Sequence, residues 1–139
     1  MPPLTRWFIK TALVYLVLSL IAGVLTVAGP VIPPLQPAAS LTTLYLQVLI
    51  IGWITQLIFG VAYWMFPIYT REVPRGRPFV GWLSYVLLNA GLILRVGVDV
   101  LLVLDAASSV RWVTGVAALS LFASAAAFVL NIWFRVKGH

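Results

Sequence analysis

Arg95 and Asp99 stand four residues apart inside one long apolar run, and Gln47 sits in another. On a helix the four-residue interval puts the guanidinium and the carboxylate on one face, close enough for an internal ion pair. If the two runs are neighbouring helices, Gln47 lies within about a turn of the same depth. Such a cluster neutralises Arg95 and pins the second helix to the third. The alternative reading is a polar pocket for a quinone headgroup, a haem propionate or a proton path, and a third is contact with a partner subunit. Gln56 and Asn89 interrupt the same two runs. At 1.5 Å per residue both fall roughly 22 Å from the outer ends of their helices, so that antiparallel neighbours bring them level, within reach of a bond across the interface.

Most other chemistry has no residues to run it. His139 is the single histidine and the last residue, the methionines are Met1 and Met65, and cysteine is absent. Haem, copper, zinc and iron sites draw on those side chains and on carboxylates in defined geometry, so no metal site is expected within one chain. Glu72 is the only glutamate, and there is no Ser, His and acid constellation for nucleophilic catalysis. Neither a catalytic residue nor an enzymatic activity is expected. A small oligomeric transporter needs one intramembrane charge per subunit. Asp99 is the buried acid that could serve, but Arg95 is beside it.

The elements that hold these residues are set by composition. Of the 139 residues, 63% are hydrophobic and 9% charged, against roughly 45–50% and 25% in a soluble domain. A bilayer core of about 30 Å needs about 20 helical residues to cross it. Four stretches meet that length, from about 7 to 28, 41 to 66, 79 to 104 and 110 to 134. The expected fold is therefore all-α, one transmembrane domain over 1–139, a four-helix antiparallel bundle with short connections. Pro2, Pro3, Pro30, Pro33, Pro34, Pro37, Pro67, Pro74 and Pro78 are all expected in tails or connections, where a missing amide proton costs nothing. The first apolar run follows Arg6 and Lys10 as a secretory signal would, yet it is longer than a signal core and is expected to stay as a span.

Arg6, Lys10, Arg71, Arg75, Arg77, Arg135 and Lys137 fall on one side of this topology and Arg111 on the other. The positive-inside rule then makes both termini and the middle loop cytoplasmic, and Arg71, Arg75 and Arg77 are expected at anionic lipid. The net charge of +6 is thereby explained without nucleic acid. Trp7, Trp64, Tyr69, Trp82, Trp112 and Trp133 lie near the expected interfaces, as an aromatic belt requires. Small residues mark packing faces. Gly52, Gln56 and Gly60 recur every four residues, and Ala117, Ser120, Ser124, Ala127 and Asn131 alternate spacings of three and four; both patterns let helices approach closely, and with Asn89 they are expected to act as glue.

The run Gly52-Trp53-Ile54-Thr55-Gln56-Leu57-Ile58-Phe59-Gly60-Val61-Ala62-Tyr63-Trp64-Met65-Phe66-Pro67 resembles small membrane proteins related to the haem-copper oxidase subunit I superfamily. Arg71-Glu72, Pro74-Arg75-Gly76 and the run Leu88-Asn89-Ala90-Gly91-Leu92, with Leu94-Arg95, extend the likeness over about residues 41 to 95. In that superfamily a histidine that ligates low-spin haem precedes the Gly-Trp pair by about a turn and a half. The matching position here is Gln47, which is not a normal haem ligand. The resemblance therefore implies shared ancestry and packing, and membership of a respiratory or photosynthetic electron-transport assembly, without oxygen reduction by this chain.

The expected role is a non-catalytic accessory subunit of an electron-transport complex, in the cytoplasmic membrane of a prokaryote, with lipid and larger subunits or further copies of the chain as partners. No cofactor is expected. A haem- or quinone-binding electron carrier is the first alternative and would show visible absorbance or bound quinone. A small transporter is the second, and would need a water-filled cavity at Asp99.

Overall fold

The computed structural model describes residues 1–28, 38–66, 78–103, 111–133 and 135–136. Among them there is no strand, and four helical rods are long and apolar enough to cross a membrane. The first is α1 (Pro3–Ala28). The second is continuous but not uniform: α2 (Ala38–Gln47) runs into a π-helical segment (Val48–Thr55) and then into α3 (Gln56–Met65). The third and fourth are α4 (Pro78–Val103) and α5 (Arg111–Trp133). The chain is an integral membrane protein of the all-helical class.

Local chemistry explains where the rods begin and stop. Pro3 and Pro78 are not in connections as expected but are the first residues of α1 and α4. There the missing N–H is one that no intrahelical carbonyl would have met, and the fixed φ already suits a helix. At the end of α3, Phe66 adopts φ −65° and ψ 146° while its N–H still reaches Ala62 O at 3.0 Å. Pro67 follows it, and the clash of a proline ring with the preceding residue forbids the α conformation at Phe66.

Glycines and serines set how closely the rods approach. A Cβ on Gly60 would lie 2.7 Å from Phe8 Cβ, one on Gly52 2.8 Å from Tyr15 Cγ, and one on Gly23 3.1 Å from Tyr45 Cε2. These contacts seat α1 along the whole second rod. Between α4 and α5 a Cβ on Gly91 would meet Leu121 Cγ at 2.9 Å, and one on Gly81 would approach Asn131 Nδ2 at 3.3 Å. Ser84 Oγ donates to Ser124 O at 3.0 Å, Ser124 Oγ to Ser84 O at 2.7 Å, and Ser120 Oγ to Leu87 O at 2.8 Å. Hydroxyls bonded to the opposite backbone hold these two helices nearly in backbone contact, which only small side chains permit.

A cluster of buried hydrophobic side chains lies at one end, around Leu4, Phe8, Tyr63, Phe128 and Ile132. Phe59 stacks on Phe128 with ring centroids 3.8 Å apart, and Phe8 meets Tyr85 edge-on at 5.1 Å. Outward faces carry exposed Leu, Ile, Val and Phe, as lipid-facing surfaces do. Trp7, Trp64, Trp82, Trp112 and Trp133 are exposed, while Tyr69 lies outside the described residues, as do Arg71, Arg75 and Arg77.

Arg135, just beyond α5, is turned into the protein. It is only 3% exposed, its Nη2 donates to Phe66 O at 2.8 Å and to Tyr63 O at 3.2 Å, and its guanidinium lies 5.5 Å from the Tyr63 ring centroid. The final carbonyls of α3 have no intrahelical donor and carry the negative end of the helix dipole, so a cation placed there satisfies both needs.

Candidate functional site

Gln47 closes α2 at the point where the π-helical segment begins, and it faces the part of α4 that bears Arg95 and Asp99. Arg95 Nη2 lies 3.5 Å from Asp99 Oδ1, with the two side chains 25% and 8% exposed. With its amide oriented to suit these neighbours, Gln47 Nε2 donates to Asp99 Oδ2 at 3.1 Å and Gln47 Oε1 accepts from Arg95 Nε at 3.0 Å. One neutral amide thus binds both members of the ion pair and joins the second rod to the third. Desolvation of charge in lipid is severe, and a pair fully engaged by hydrogen bonds is the form in which it is tolerated.

A second polar group lies lower, near the midpoints of α1 and α4. Tyr15 OH donates to Asn89 Oδ1 at 3.1 Å, Asn89 Nδ2 donates to Tyr85 O at 2.9 Å, and Tyr85 OH is 2.8 Å from Thr11 Oγ1. The bond that their depth would allow between Asn89 and Gln56 is not formed: the Asn89 amide is engaged by α1 and by its own helix. Gln56 is fully buried, and neither its Nε2 nor its Oε1 has a hydrogen-bond partner among the described residues.

Leu92 separates the two groups. It is fully buried, and its Cδ2 lies 3.0 Å from where a Cβ of Gly52 would stand. Asn89 and Arg95, six residues apart on α4, are about 9 Å apart along the helix axis, and Leu92 stands midway between them.

The π-helical segment sets the geometry on the second rod. Thr55 Oγ1 reaches back five residues to Ile50 O at 2.9 Å, and the Gln56 N–H donates to Trp53 O where α3 resumes. The wider helix changes the direction of Gln47 relative to Gln56, so one glutamine faces the ion pair while the other is enclosed. Segments of this kind are rare and concentrate at functional positions.

The structure brings Gln47, Arg95 and Asp99 together, buries Gly52, Gln56 and Gly60 against neighbouring rods, and sets Ser120 and Ser124 against α4. Sequence reasoning missed Tyr15, Tyr85 and Thr11. The signal was available for Tyr15, a phenol at the middle of an apolar span rather than at an interface. Among the described residues no three His, Cys, Asp or Glu side chains are grouped so as to hold a metal ion. Comparison with protein-family models, with curated proteins and with solved structures finds no match.

Proposed function

We propose that this chain is a non-catalytic subunit of a larger membrane assembly, an antiparallel four-span bundle that resembles a fragment of oxidase subunit I and serves an electron-transport complex. The observation that carries this reading is the triad in which one amide, Gln47 on the second rod, bonds both Arg95 and Asp99 on the third, an arrangement suited to a tie between helices. The antiparallel arrangement is supported by contact order. Gly52, Gly60 and Gly23 meet Tyr15, Phe8 and Tyr45, and Gly81, Ser84 and Gly91 meet Asn131, Ser124 and Leu121, so numbers fall on one rod as they rise on its neighbour. The cation distribution supports cytoplasmic termini. Arg71, Arg75 and Arg77 are proposed to anchor the middle loop at anionic lipid.

The deciding experiment is purification in mild detergent from cells that express the protein at its native level, followed by mass spectrometry and a visible spectrum. A stoichiometric membrane partner is the expected result. Recovery of the chain alone overturns the proposal, and a Soret band that follows the purified chain replaces it with the haem-carrier reading.

A further inference from the structure

We propose that Arg6 and Lys10 clamp the phosphate of one anionic phospholipid on the exposed face of α1, with Trp7 beside the headgroup and Leu13, Val14 and Val17 beneath it as the track for an acyl chain. The inference concerns lipid alone and stands apart from the subunit reading.

The two cations share one face of the helix. At 3.6 residues per turn Arg6 and Lys10 lie about 40° apart around α1, and Trp7 lies about 60° to the far side of Lys10. All three side chains are exposed. Like charges four residues apart on a helix repel each other, and no protein group offsets them here. Among the described residues the one carboxylate is Asp99, already engaged by Arg95 and Gln47, and neither Arg6 nor Lys10 makes an ion pair or a side-chain hydrogen bond.

Depth makes Lys10 the more telling of the two. It stands seven residues beyond Pro3, the first residue of α1, which is about 10 Å along the axis. Its neighbour Ile9 has Cγ1 3.5 Å from where a Cβ of Gly60 would stand, and Gly60 is five residues short of the end of α3. The Lys10 backbone is therefore well inside the rods, where a charge is tolerated when a long stem carries it to the interface. Helical side chains lean toward the helix N-terminus, which for α1 is the near surface. The ammonium is thereby brought back about one turn, to the level of Arg6.

A phosphate diester meets the needs of both groups. Its anionic oxygens accept from the ammonium and from the planar fork of the guanidinium, and a single bridging anion removes the repulsion between them. A zwitterionic lipid brings its own cation beside the phosphate, so an anionic headgroup fits better. Trp7, 55% exposed, offers the apolar body and N–H that suit the headgroup level. Leu13, Val14 and Val17 continue the same face toward the middle of the bilayer and are each at least half exposed, which leaves their methyl groups free to line a hydrocarbon chain.

NMR of the whole chain in phosphatidylcholine bicelles, titrated with phosphatidylglycerol, tests the site. The Trp7 indole N–H and the Lys10 amide are expected to shift and to saturate as one site. Arg6→Gln and Lys10→Gln should each weaken that binding about five-fold, the equivalent of about 1 kcal/mol per cation near an anionic surface. No shift, a shift that rises without saturation, or one that survives in the Arg6→Gln, Lys10→Gln double variant overturns the inference. An equal response when inorganic phosphate is added to the phosphatidylcholine bicelles marks a site for free anion and overturns it as well. If a variant does not fold, the wild-type titrations decide alone.

Discussion

Ser84 and Ser124 each donate a hydroxyl to the other's backbone carbonyl, at 3.0 and 2.7 Å, and both are fully buried. The exchange is possible only because both residues are small, so it records how close α4 and α5 come. Each hydroxyl's acceptor is a backbone carbonyl that survives loss of the other side chain, but the two hydroxyls also lie 3.4 Å apart, so their contributions are coupled. Each alanine variant is expected to cost about 1 kcal/mol, in the range of interhelical hydrogen bonds in membranes. The double variant should cost less than the sum, because the two bonds share one interface. Ser124→Leu should cost more than either, since no space exists for the added carbons. Unfolding free energies in detergent or bicelles test all three, and full additivity of the alanine pair would refute the shared tie.

Gln47, Arg95 and Asp99 should respond asymmetrically to truncation. Arg95→Leu strands the more deeply buried member, Asp99, and is expected to destabilise by about 3–5 kcal/mol. Asp99→Leu should cost less, because the long Arg95 side chain is partly exposed and its head can move toward the interface. Joint replacement by Arg95→Leu and Asp99→Leu should recover most of the loss, as buried ion pairs replaced by apolar residues commonly do. A double variant no more stable than Arg95→Leu alone would show that the charges do more than neutralise each other.

The rods themselves were legible, because about 20 apolar residues in a row admit one structure in lipid. Depth was legible too, and it placed Gln47 with Arg95 and Asp99. Direction around the helix axis was not. Gln56 and Asn89 are level by residue count, yet Asn89 bonds Tyr15 on a different helix. The π-helical segment Val48–Thr55 shifts every direction beyond it, and nothing in a run such as Val48-Leu49-Ile50-Ile51 distinguishes it from an ordinary helix. The partners of Arg135 were not legible for a related reason. A cation just beyond a span looks the same in sequence whether it meets lipid or turns back to cap α3. Pro3 and Pro78 carry no mark that separates the first turn of a helix from a loop, since the first helical turn accepts proline as readily as a loop does.

Two groups of glycines should separate cleanly on substitution by alanine. At Gly52, Gly60 and Gly91 the new Cβ would come within 3.0 Å of Tyr15, Phe8 and Leu121 respectively. Each is expected to destabilise by about 1–3 kcal/mol, the range for overpacking. At Gly97 and Gly115 a Cβ meets nothing within 4 Å. There alanine should leave stability unchanged or raise it by up to about 1 kcal/mol, since glycine is a poor helix former. Unfolding measurements on the five single variants test the division, and a loss of stability at Gly97→Ala or Gly115→Ala in the isolated chain would contradict the packing described.

Arg135 makes the most local prediction. Its guanidinium donates to two carbonyls at the end of α3 and lies near the Tyr63 ring, so Arg135→Ala removes charge-assisted bonds and a cation–π contact together. The expected loss is about 2–3 kcal/mol, since each hydrogen bond to a charged group contributes roughly 1.5–3 kcal/mol and losses that share one side chain do not add in full. Arg135→Lys should fall between the wild type and Arg135→Ala. An ammonium keeps the favourable charge at the helix terminus but lacks the planar fork that spans two acceptors. The change should also be confined in space. Hydrogen exchange at the Phe66 amide, which bonds Ala62 O at 3.0 Å, is expected to quicken in Arg135→Ala as the last turn of α3 frays, while amides in the middle of α4 keep their wild-type rates. Unaltered exchange at Phe66 would mean that the turn is held by the packing of Phe59, Ala62 and Tyr63 alone, and the capping role assigned to Arg135 would fail.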